Sequence, residues 1–339
     1  MADTALASNS GPARLISASK VAIELLGRSH AAARVQELVR RAAAGHSSVL
    51  VVAERGTDAE SVAHEVHRRS RGPSAPWIRL DCSAGDANWF DRVVFGRSAE
   101  VASTDLETVS VDSWIAGARG GTLFLQDVGE LPASSQARLA RIVRDGEVRI
   151  DGVAAPTDMR VIASALPSID AEVREHRFRV DLYRRLSASR IDVPALRDRP
   201  SDVPALAERL LEEVSAARGA ALRSFTQAAL GLLAALSWPG NLAELRAVVE
   251  RAATEVSGEG AIQVEHVLPA LNLDRVAPPF APAGNLREAR LRFEREYIAA
   301  VLQYHGWRMA DAAQTLGIQR PNLYRKARQL GIPVARLTE

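Results

Sequence analysis

Hydrophobic residues in the first half of the chain form short apolar runs separated by stretches with helical spacing. Four runs, at 48–53, 77–80, 122–125 and 160–165, predict buried β-strands because they are rich in aliphatic and β-branched residues. Helical patterns lie between them, including one over 134–143. Strands that alternate with helices predict an α/β fold, in which a parallel sheet has helices on both faces.

After about Ser201 the pattern is helical throughout, which predicts a helical lid subdomain. Within it, the Trp-Pro-Gly-Asn segment at 238–241 predicts a turn that opens a helix. A stretch of Pro, Ala and Gly over 277–284 is typical of a semi-rigid linker. Beyond it, helical spacing begins again at Leu286.

Charge is distributed unevenly along the 339 residues. The whole chain has a formal net charge of +2, whereas the segment from Leu286 to Glu339 has ten basic and five acidic residues. A small basic unit on a slightly acidic body indicates a nucleic-acid-binding appendage. Lys20 and Lys326 are the only lysines among 43 basic residues, so the body between them contains none.

Composition sets the general class of the protein. With 47% hydrophobic and 25% charged residues, the chain is not a wholly disordered one. Its single cysteine, Cys82, excludes an internal disulfide framework, and we expect it to be packed rather than reactive. No apolar run reaches the ~18 residues of a membrane helix, and the first 13 residues do not resemble a secretion signal. We therefore expect a cytoplasmic protein with no membrane partner.

The C-terminal segment predicts a helix-turn-helix. A helix from Met309 to Leu316 is followed by Gly317, which can supply a left-handed turn, and Pro321 suits the first turn of a third helix. That helix would present its polar residues to DNA, and the helix that begins at Leu286 would pair with a second copy, which implies a palindromic site. The expected DNA-binding residues are Gln319, Arg320, Asn322, Arg325, Lys326 and Arg328.

Several motifs carry a family resemblance. They are Gly-Gly-Thr-Leu-Phe-Leu at 120–125, Gly-Glu-Leu-Pro at 129–132, Phe-Arg-Val-Asp-Leu-Tyr-Arg-Arg-Leu at 178–186, Pro-Ala-Leu-Arg-Asp-Arg at 194–199 and the segment at 238–241. In order and spacing over 26–271, the chain resembles the AAA+ domain of sigma-54-dependent transcription activators. The segment 286–332 is similar to the Fis-type helix-turn-helix that ends such proteins. Only about 25 residues precede Leu26, where the family usually has a sensory domain.

The resemblance implies a P-loop-type AAA+ architecture with five segments. We predict an N-terminal tail (1–25), an AAA+ α/β subdomain (26–200), a helical lid (201–272), a linker (273–285) and a Fis-type helix-turn-helix domain (286–339).

The resemblance also implies ATP and Mg²⁺ as cofactors, but the matching phosphate loop is altered. Ala53 and Asp58 stand where the family has glycines, and Ala59 stands where it has the lysine that contacts phosphate. The Asp58 carboxylate would repel a phosphate. The loop residues that match the family's phosphate loop are Ala53, Gly56, Thr57, Asp58, Ala59 and Glu60.

Four further positions depart from the family's catalytic pattern. Gln126 and Asp127 replace an Asp-Glu pair that would hold Mg²⁺ and polarise water, Leu166 replaces a polar sensor asparagine, and Ala243 replaces a sensor arginine. We therefore expect a pseudo-ATPase with no cofactor.

Two elements of the family pattern concern partners. Arg179 and Arg185 match arginines that the family offers to the nucleotide of a neighbouring subunit, although they could equally form structural salt bridges. The family's sigma-54-contacting loop, with Gly-Ala-Phe-Thr-Gly-Ala, should lie within 97–119, but the motif is missing and no aromatic residue occurs there before Trp114. We expect a solvated acidic loop and no sigma-54 contact.

His64 and His67 share a helical face with Glu60, but no third ligand is evident. We expect two solvated histidines and no metal site.

The sequence thus predicts a sequence-specific DNA-binding transcription regulator on an AAA+ scaffold without ATP hydrolysis. Two alternatives stay open: a non-catalytic subunit in a mixed ring with an active AAA+ relative, and a working ATP-dependent sigma-54 activator. A homo-oligomer is compatible with a regulator that lacks ATP hydrolysis. The target promoter, the sign of regulation, the oligomer size, the signal and any residual nucleotide binding are not given by the sequence.

Overall fold

The computed structural model describes residues 22–96, 106–150, 152–219, 223–255, 260–271, 295, 298, 302, 308–316, 319–330 and 332. The chain divides into two compact units, Met1–Leu271 and Asn272–Glu339. The predicted linker (273–285), Gly317 and most of the helix predicted from Leu286 lie outside the described residues.

The strands of the first unit are β1 (Val49–Val52), β2 (Trp77–Asp81), β3 (Thr108–Val109), β4 (Thr122–Gln126), β5 (Glu147–Ile150), β6 (Val153–Pro156), β7 (Arg160–Ala165) and β8 (Ser189–Asp192). Its helices are α1 (His30–Ala44), α2 (Ala59–Ser70), α3 (Ala87–Val93), α4 (Trp114–Gly117), α5 (Ala133–Asp145), α6 (Ile169–Arg174), α7 (Val180–Leu186), α8 (Val203–Arg218), α9 (Gln227–Ala235), α10 (Asn241–Glu255) and α11 (Val264–Ala270). The second unit contains α12 (Met309–Thr315) and α13 (Arg320–Gln329).

The main sheet has five parallel strands in the order β2-β4-β7-β1-β8. Strands β1 and β7 are buried along their whole length. Successive side chains of β1 point to opposite faces: Leu50 and Val52 pack with residues of α3, α5 and α7, whereas Val49 and Val51 pack with residues of α1 and α2. The predicted parallel sheet with helices on both faces is confirmed, and so are its four predicted strands.

Four strands were missed because they are short or polar. β8 has a single buried residue, Ile191, and its neighbours in sequence are polar. β3, β5 and β6 form a small separate sheet, in which β5 and β6 make an antiparallel hairpin. None of these strands contains the run of apolar residues that marks β1 and β7, so the sequence carries little signal for them.

The interval 97–119 is only partly described, and its described part is not the solvated acidic loop that we expected. Glu107 is buried, and its carboxylate contacts Arg138 Nε at 2.6 Å and Arg141 at 3.2 Å. Arg138 is itself buried; it also pairs with Asp91 at 2.8 Å and lies over the ring of Phe95. Glu107 is thus fastened to α5, because paired charges can be buried where lone charges cannot, whereas Val111, Asp112 and Arg119 are exposed. Residues 97–105 lie outside the described part.

The lid is helical, as predicted. Helices α8 to α11 surround an apolar core that includes the buried side chain of Trp238, whose indole N–H donates to the Leu233 carbonyl at 2.9 Å. Trp238 and Asn241 have φ angles of 49° and 50°, which form the expected turn before α10. Ile23 packs into this core, so residues 22–25 belong to the folded body and not to the N-terminal tail assigned to 1–25.

The described part of the second unit has its own apolar core. It joins single residues of the first predicted helix, such as Leu302, to α12 and α13 through Ala312, Leu323 and Ala327. Helices α12 and α13 lie where the helix-turn-helix pattern predicts them.

The expectation of two solvated histidines is wrong for His67. Its side chain is 1% exposed, Nδ1 lies 2.7 Å from Thr122 Oγ1, and its ring packs against Trp77 and His64. The cause is the position of α2 over β4, which turns this helical face toward the sheet. Burial, aided by the charge of His64, lowers the pKa of His67 to about 4.

No helix among the described residues is long and apolar enough to cross a membrane.

The depressed pKa of His67 predicts a pH dependence of stability. An unfolded histidine takes up a proton near pH 6.5 whereas the folded one resists until about pH 4, so the free energy of unfolding should fall as pH drops through this window. The loss from this residue is at most ~3 kcal/mol. In urea unfolding between pH 7 and pH 4, His67→Gln should flatten the pH dependence, whereas His46→Gln, at an exposed site, should keep the wild-type slope. Equal slopes in all three proteins would contradict the assignment.

Candidate functional site

A cleft lies where β1, β4 and β7 end at the carboxyl edge of the parallel sheet, the edge at which such sheets bind ligands. Its volume is about 320 Å³, at the small end of the ~300–1,000 Å³ usual for ligand pockets. The cleft is lined by Ala53, Glu54, Arg55, Gly56, Thr57, Asp58, Ala59, Glu60, Gln126, Asp127, Ser164, Ala165 and Leu166. The fold therefore brings together the residues that match the phosphate loop, the Asp-Glu pair and the first sensor.

The loop between β1 and α2 rests directly on the lid. Gly56 has a φ of +80°, and a Cβ atom there would lie 2.1 Å from the Gly240 carbonyl oxygen, so this position requires glycine. The N–H of Ala243 donates to the Gly56 carbonyl at 2.9 Å. Ala243 thus lies beside the loop, at the place the family resemblance implies for the second sensor, but its methyl group brings no charge.

Two carboxylates of the chain occupy the start of α2. Asp58 is the N-cap of this helix, and its Oδ1 accepts the N–H of Ser61 at 3.1 Å. The N–H of Asp58 itself donates to Oε1 of Glu24 at 2.9 Å. Backbone N–H groups at a helix start attract anions, and here the anions are carboxylates of the chain itself. Ala59 follows without any cationic side chain.

Glu24 is held by a buried partner. Its carboxylate pairs with Arg199 Nη2, and Arg199 Nη1 donates to the Glu24 carbonyl at 2.8 Å. Both side chains are almost wholly buried, at 0% and 2% exposure. Removing either one alone would leave a buried charge without its partner, which makes the pair a rigid anchor for Glu24. Sequence reasoning missed Glu24 because it stands before the first predicted element.

A cation that the sequence analysis did not single out reaches the edge of the cleft. Arg79 of β2 donates to Gln126 Oε1 through Nη2 at 2.6 Å and Nε at 3.0 Å, and its Nε lies 3.2 Å from a carboxylate oxygen of Glu60. The neutral Gln126 amide oxygen therefore binds a guanidinium at the position where the resemblance implies a metal-binding carboxylate. The sequence carried a signal for it, since Arg79 is an exposed charged residue between the buried apolar residues Ile78 and Leu80 of β2.

Asp127 and Leu166 complete the floor of the cleft. Asp127 has a φ of 53°, and its N–H donates to Ser164 Oγ at 3.0 Å. Leu166 lines both this cleft and an adjoining cavity of about 100 Å³, which also contains Glu130 and Glu172. An apolar side chain thus stands where the sensor is expected, next to several carboxylates.

Side chains also fasten the lid to the β1–α2 loop. Asn241 accepts the N–H of Leu196 at 2.8 Å and donates to the Arg55 carbonyl at 2.9 Å. Arg197 holds Glu54 with two hydrogen bonds of 2.5 and 2.8 Å, and these bonds keep the pKa of the Glu54 carboxyl below its usual value. The contacts join strand β1, the loop and the lid without any other molecule.

Arg179 and Arg185 are both exposed, at the start and in the last turn of α7. Arg179 forms a two-pronged salt bridge with Asp181, at 2.7 and 3.0 Å, which raises the pKa of the guanidinium and lowers that of the carboxyl. The structural salt bridge that we considered is therefore present for Arg179.

The candidate DNA-binding helix presents its polar side chains as predicted. Gln319 is the N-cap of α13, Pro321 lies in the first turn, and Leu323 and Ala327 are buried. The exposed residues include Gln319, Arg320, Asn322, Arg325 and Arg328, whereas Lys326 is half-buried.

Tyr324 is also exposed on α13, at 41%, and sequence reasoning missed it. The guanidinium carbon of Arg320 lies 5.9 Å from the centre of its ring.

Cys82 is buried, and burial raises the pKa of its thiol, which confirms that it is packed rather than poised for reaction. Among the described residues no group of three or more His, Cys, Asp or Glu side chains could hold a metal ion.

Models of known families match three consecutive parts of the chain. These are the sigma-54 interaction domain over 25–192, an AAA+ ATPase lid domain over 197–278 and the bacterial regulatory protein domain of the Fis family over 290–330.

Individual proteins agree. The transcriptional regulatory protein ZraR of Escherichia coli K12 is 33% identical over 89% of this chain and 68% of its own length. The Nif-specific regulatory protein of Azotobacter vinelandii is 33% identical, over 92% of this chain and 60% of its own length, so this chain spans about three fifths of that relative. The structure of NtrX from Brucella abortus in complex with ADP matches with a TM-score of 0.62 at 29% identity, over 91% of this chain and 69% of that one.

The order of an α/β body with a cleft at its sheet edge, a helical lid and a helix-turn-helix thus agrees with the matched families and relatives. The chain belongs to the family of sigma-54-dependent transcriptional activators, with an AAA+ domain, its lid and a C-terminal Fis-type helix-turn-helix.

Proposed function

We propose that this protein is a sequence-specific DNA-binding transcription regulator that works without ATP hydrolysis. The observation that carries the proposal is the start of α2, where Asp58 accepts the Ser61 N–H, Glu24 accepts the Asp58 N–H, and Ala59 stands in place of the phosphate-binding lysine. A triphosphate would have to enter beside the Asp58 carboxylate, which lines the cleft, whereas the charge of Glu24 is paired with Arg199. Like charges about 4 Å apart repel by ~4 kcal/mol at an effective dielectric constant of about 20.

The donor set does not fit Mg-ATP. The position for a metal-binding carboxylate holds Gln126, whose side-chain oxygen already binds Arg79, and Mg²⁺ prefers carboxylate oxygens. Asp127 keeps a carboxylate but is one methylene shorter than the expected glutamate. Neither Leu166 nor Ala243 can hydrogen-bond a phosphate through its side chain. We therefore derive no catalytic step for this cleft.

The lid is joined to the β1–α2 loop by hydrogen bonds within the chain. In this structure Asn241, Arg197 and the Ala243 N–H tie the lid to the β1–α2 loop directly. We infer that the AAA+ body acts as a scaffold and that the helix-turn-helix recognises DNA. On this proposal the protein acts in the cytoplasm, where the DNA lies.

We also propose that the protein does not contact sigma-54, because the interval 97–119 lacks the Gly-Ala-Phe-Thr-Gly-Ala motif. In a pull-down with purified sigma-54 at physiological salt, where charge-only contacts are screened, the protein should stay unbound. Retention of the factor would contradict this part of the proposal.

A second candidate is a non-catalytic subunit of a mixed ring, or of a homo-oligomer. The exposure of Arg179 and Arg185 on α7 favours it, because the two arginines are accessible to a neighbour. An increase in the ATPase rate of an active relative on mixing, lost in Arg185→Ala, would support the mixed ring.

The third possibility, a working activator, is favoured by the relatives, since NtrX is known in complex with ADP.

We predict that purified protein turns over no more ATP than a buffer blank and that Mg-ATP leaves its melting temperature nearly unchanged. The double variant Asp58→Gly/Ala59→Lys removes the repelling carboxylate and adds a charge-assisted contact worth ~1.5–3 kcal/mol, so it should bind ATP at least tenfold more tightly. Asp58→Gly alone is the matched control, because it removes the carboxylate without adding the lysine. A wild-type turnover of ~1 s⁻¹ would refute the proposal.

For DNA, we predict different effects along α13. Arg320→Ala, near the helix start, should cost about 1–3 kcal/mol at a selected site and little at random DNA, because side chains there reach base edges. Arg325→Ala should weaken both alike and reduce the salt slope by about one unit, as expected for a phosphate contact. Affinities for the selected and the random duplex, measured at several salt concentrations, distinguish the base contact of Arg320 from the phosphate contact of Arg325. Specific binding by a chain that ends at Gly284 would assign recognition to another part of the protein.

A further inference from the structure

Tyr324 is a large, partly apolar side chain in the middle of a strongly cationic surface. It is 41% exposed, whereas the apolar face of α13 is formed by the buried Leu323 and Ala327. A single exposed aromatic residue needs no explanation on an ordinary surface. Here it stands between Arg320 and Arg328, one helical turn from each, on the helix that is expected to enter a DNA groove.

The Arg320 guanidinium partly orders this tyrosine. Its central carbon lies 5.9 Å from the ring centre, within the range of a cation–π contact. The two side chains are spaced i, i+4, so they are neighbours on the surface of the helix. Each restricts the rotamers of the other, and less conformational entropy is lost when both contact a ligand.

The chemistry of the pair matches two features of the DNA major groove. A guanidinium forms two hydrogen bonds with O6 and N7 of guanine, and an apolar side chain contacts the C5 methyl group, which only thymine carries. A phenol ring beside the guanidinium would therefore cover a thymine methyl next to the base that Arg320 contacts. The surrounding Arg325 and Arg328 supply the positive charge that brings the helix to DNA.

We propose that Tyr324 is a specificity-determining residue that recognises a thymine through its methyl group, in a coupled pair with Arg320. This inference rests on the proposed DNA-binding function. It assigns to the ring an apolar contact with a base and not a contact of the hydroxyl group with phosphate.

The test begins with selection of sites from a random duplex library by the full-length wild-type protein. Affinity for the selected duplex and for a random duplex is then measured for wild type, Tyr324→Phe, Tyr324→Ala and Gln329→Ala, an exposed control on the same helix. In a second set of duplexes each thymine of the site is replaced, one at a time, by uracil, which removes only the methyl group. Circular dichroism checks that each variant is folded.

We expect Tyr324→Ala to lower the ratio of specific to random affinity and Tyr324→Phe and Gln329→Ala to preserve it. One uracil substitution should weaken wild-type binding about fourfold, the value of one buried methyl group, and should have no effect on Tyr324→Ala. This loss of coupling between one base and one side chain is the signature of a direct contact.

Two results would overturn the inference while the DNA-binding function stands. One is an unchanged affinity ratio in Tyr324→Ala; the other is a Tyr324→Phe protein that loses affinity for selected and random duplexes alike, which would assign the hydroxyl group to phosphate. Failure of the wild-type protein to select any sequence would instead overturn the proposed function, and this inference with it.

Discussion

The backbone N–H groups at the start of α2 are the point on which this structure depends. A helix start carries partial positive charge and must find acceptors, and in a phosphate loop those acceptors belong to the ligand. Here Asp58 and Glu24 are the acceptors, and Glu24 is fixed by its buried pair with Arg199. Two N–H groups at this helix start, those of Ser61 and Asp58, are therefore already bonded to carboxylates of the chain.

The same exchange of ligand for protein contacts extends around the cleft. Arg79 contacts both Gln126 and Glu60, at the position where the family resemblance implies a metal-binding carboxylate, and Arg197 and Asn241 hold the lid to the loop. These substitutions are mutually consistent: each stands at a position where the family resemblance implies a contact to nucleotide or metal, and several make a contact within the chain. The consistency favours a body kept for its shape, with recognition delegated to the basic C-terminal unit.

Sequence patterns predicted most of the fold because β1 and β7 are apolar along their length and because the lid and α13 follow helical spacing. They also located Asp58, Gln126 and Leu166 in one cleft, and Ala243 beside its loop, through the family resemblance. Glu24, Arg79 and the burial of His67 were not predictable in this way. Each depends on a contact between residues far apart in the chain, such as Glu24 with Arg199, and local periodicity carries no information about such pairs.

The central question is whether the N–H groups at the start of α2 are bound by carboxylates of the chain or are open to a phosphate. Amide hydrogen exchange of the segment 55–61, measured with and without millimolar Mg-ATP in the full-length protein, tests it most directly. The account predicts slow exchange at Asp58 in the absence of nucleotide, no change on adding Mg-ATP, and faster exchange in Glu24→Gln. Fast exchange in the free protein that slows when Mg-ATP is added would show that the loop awaits a phosphate, and would contradict the central claim.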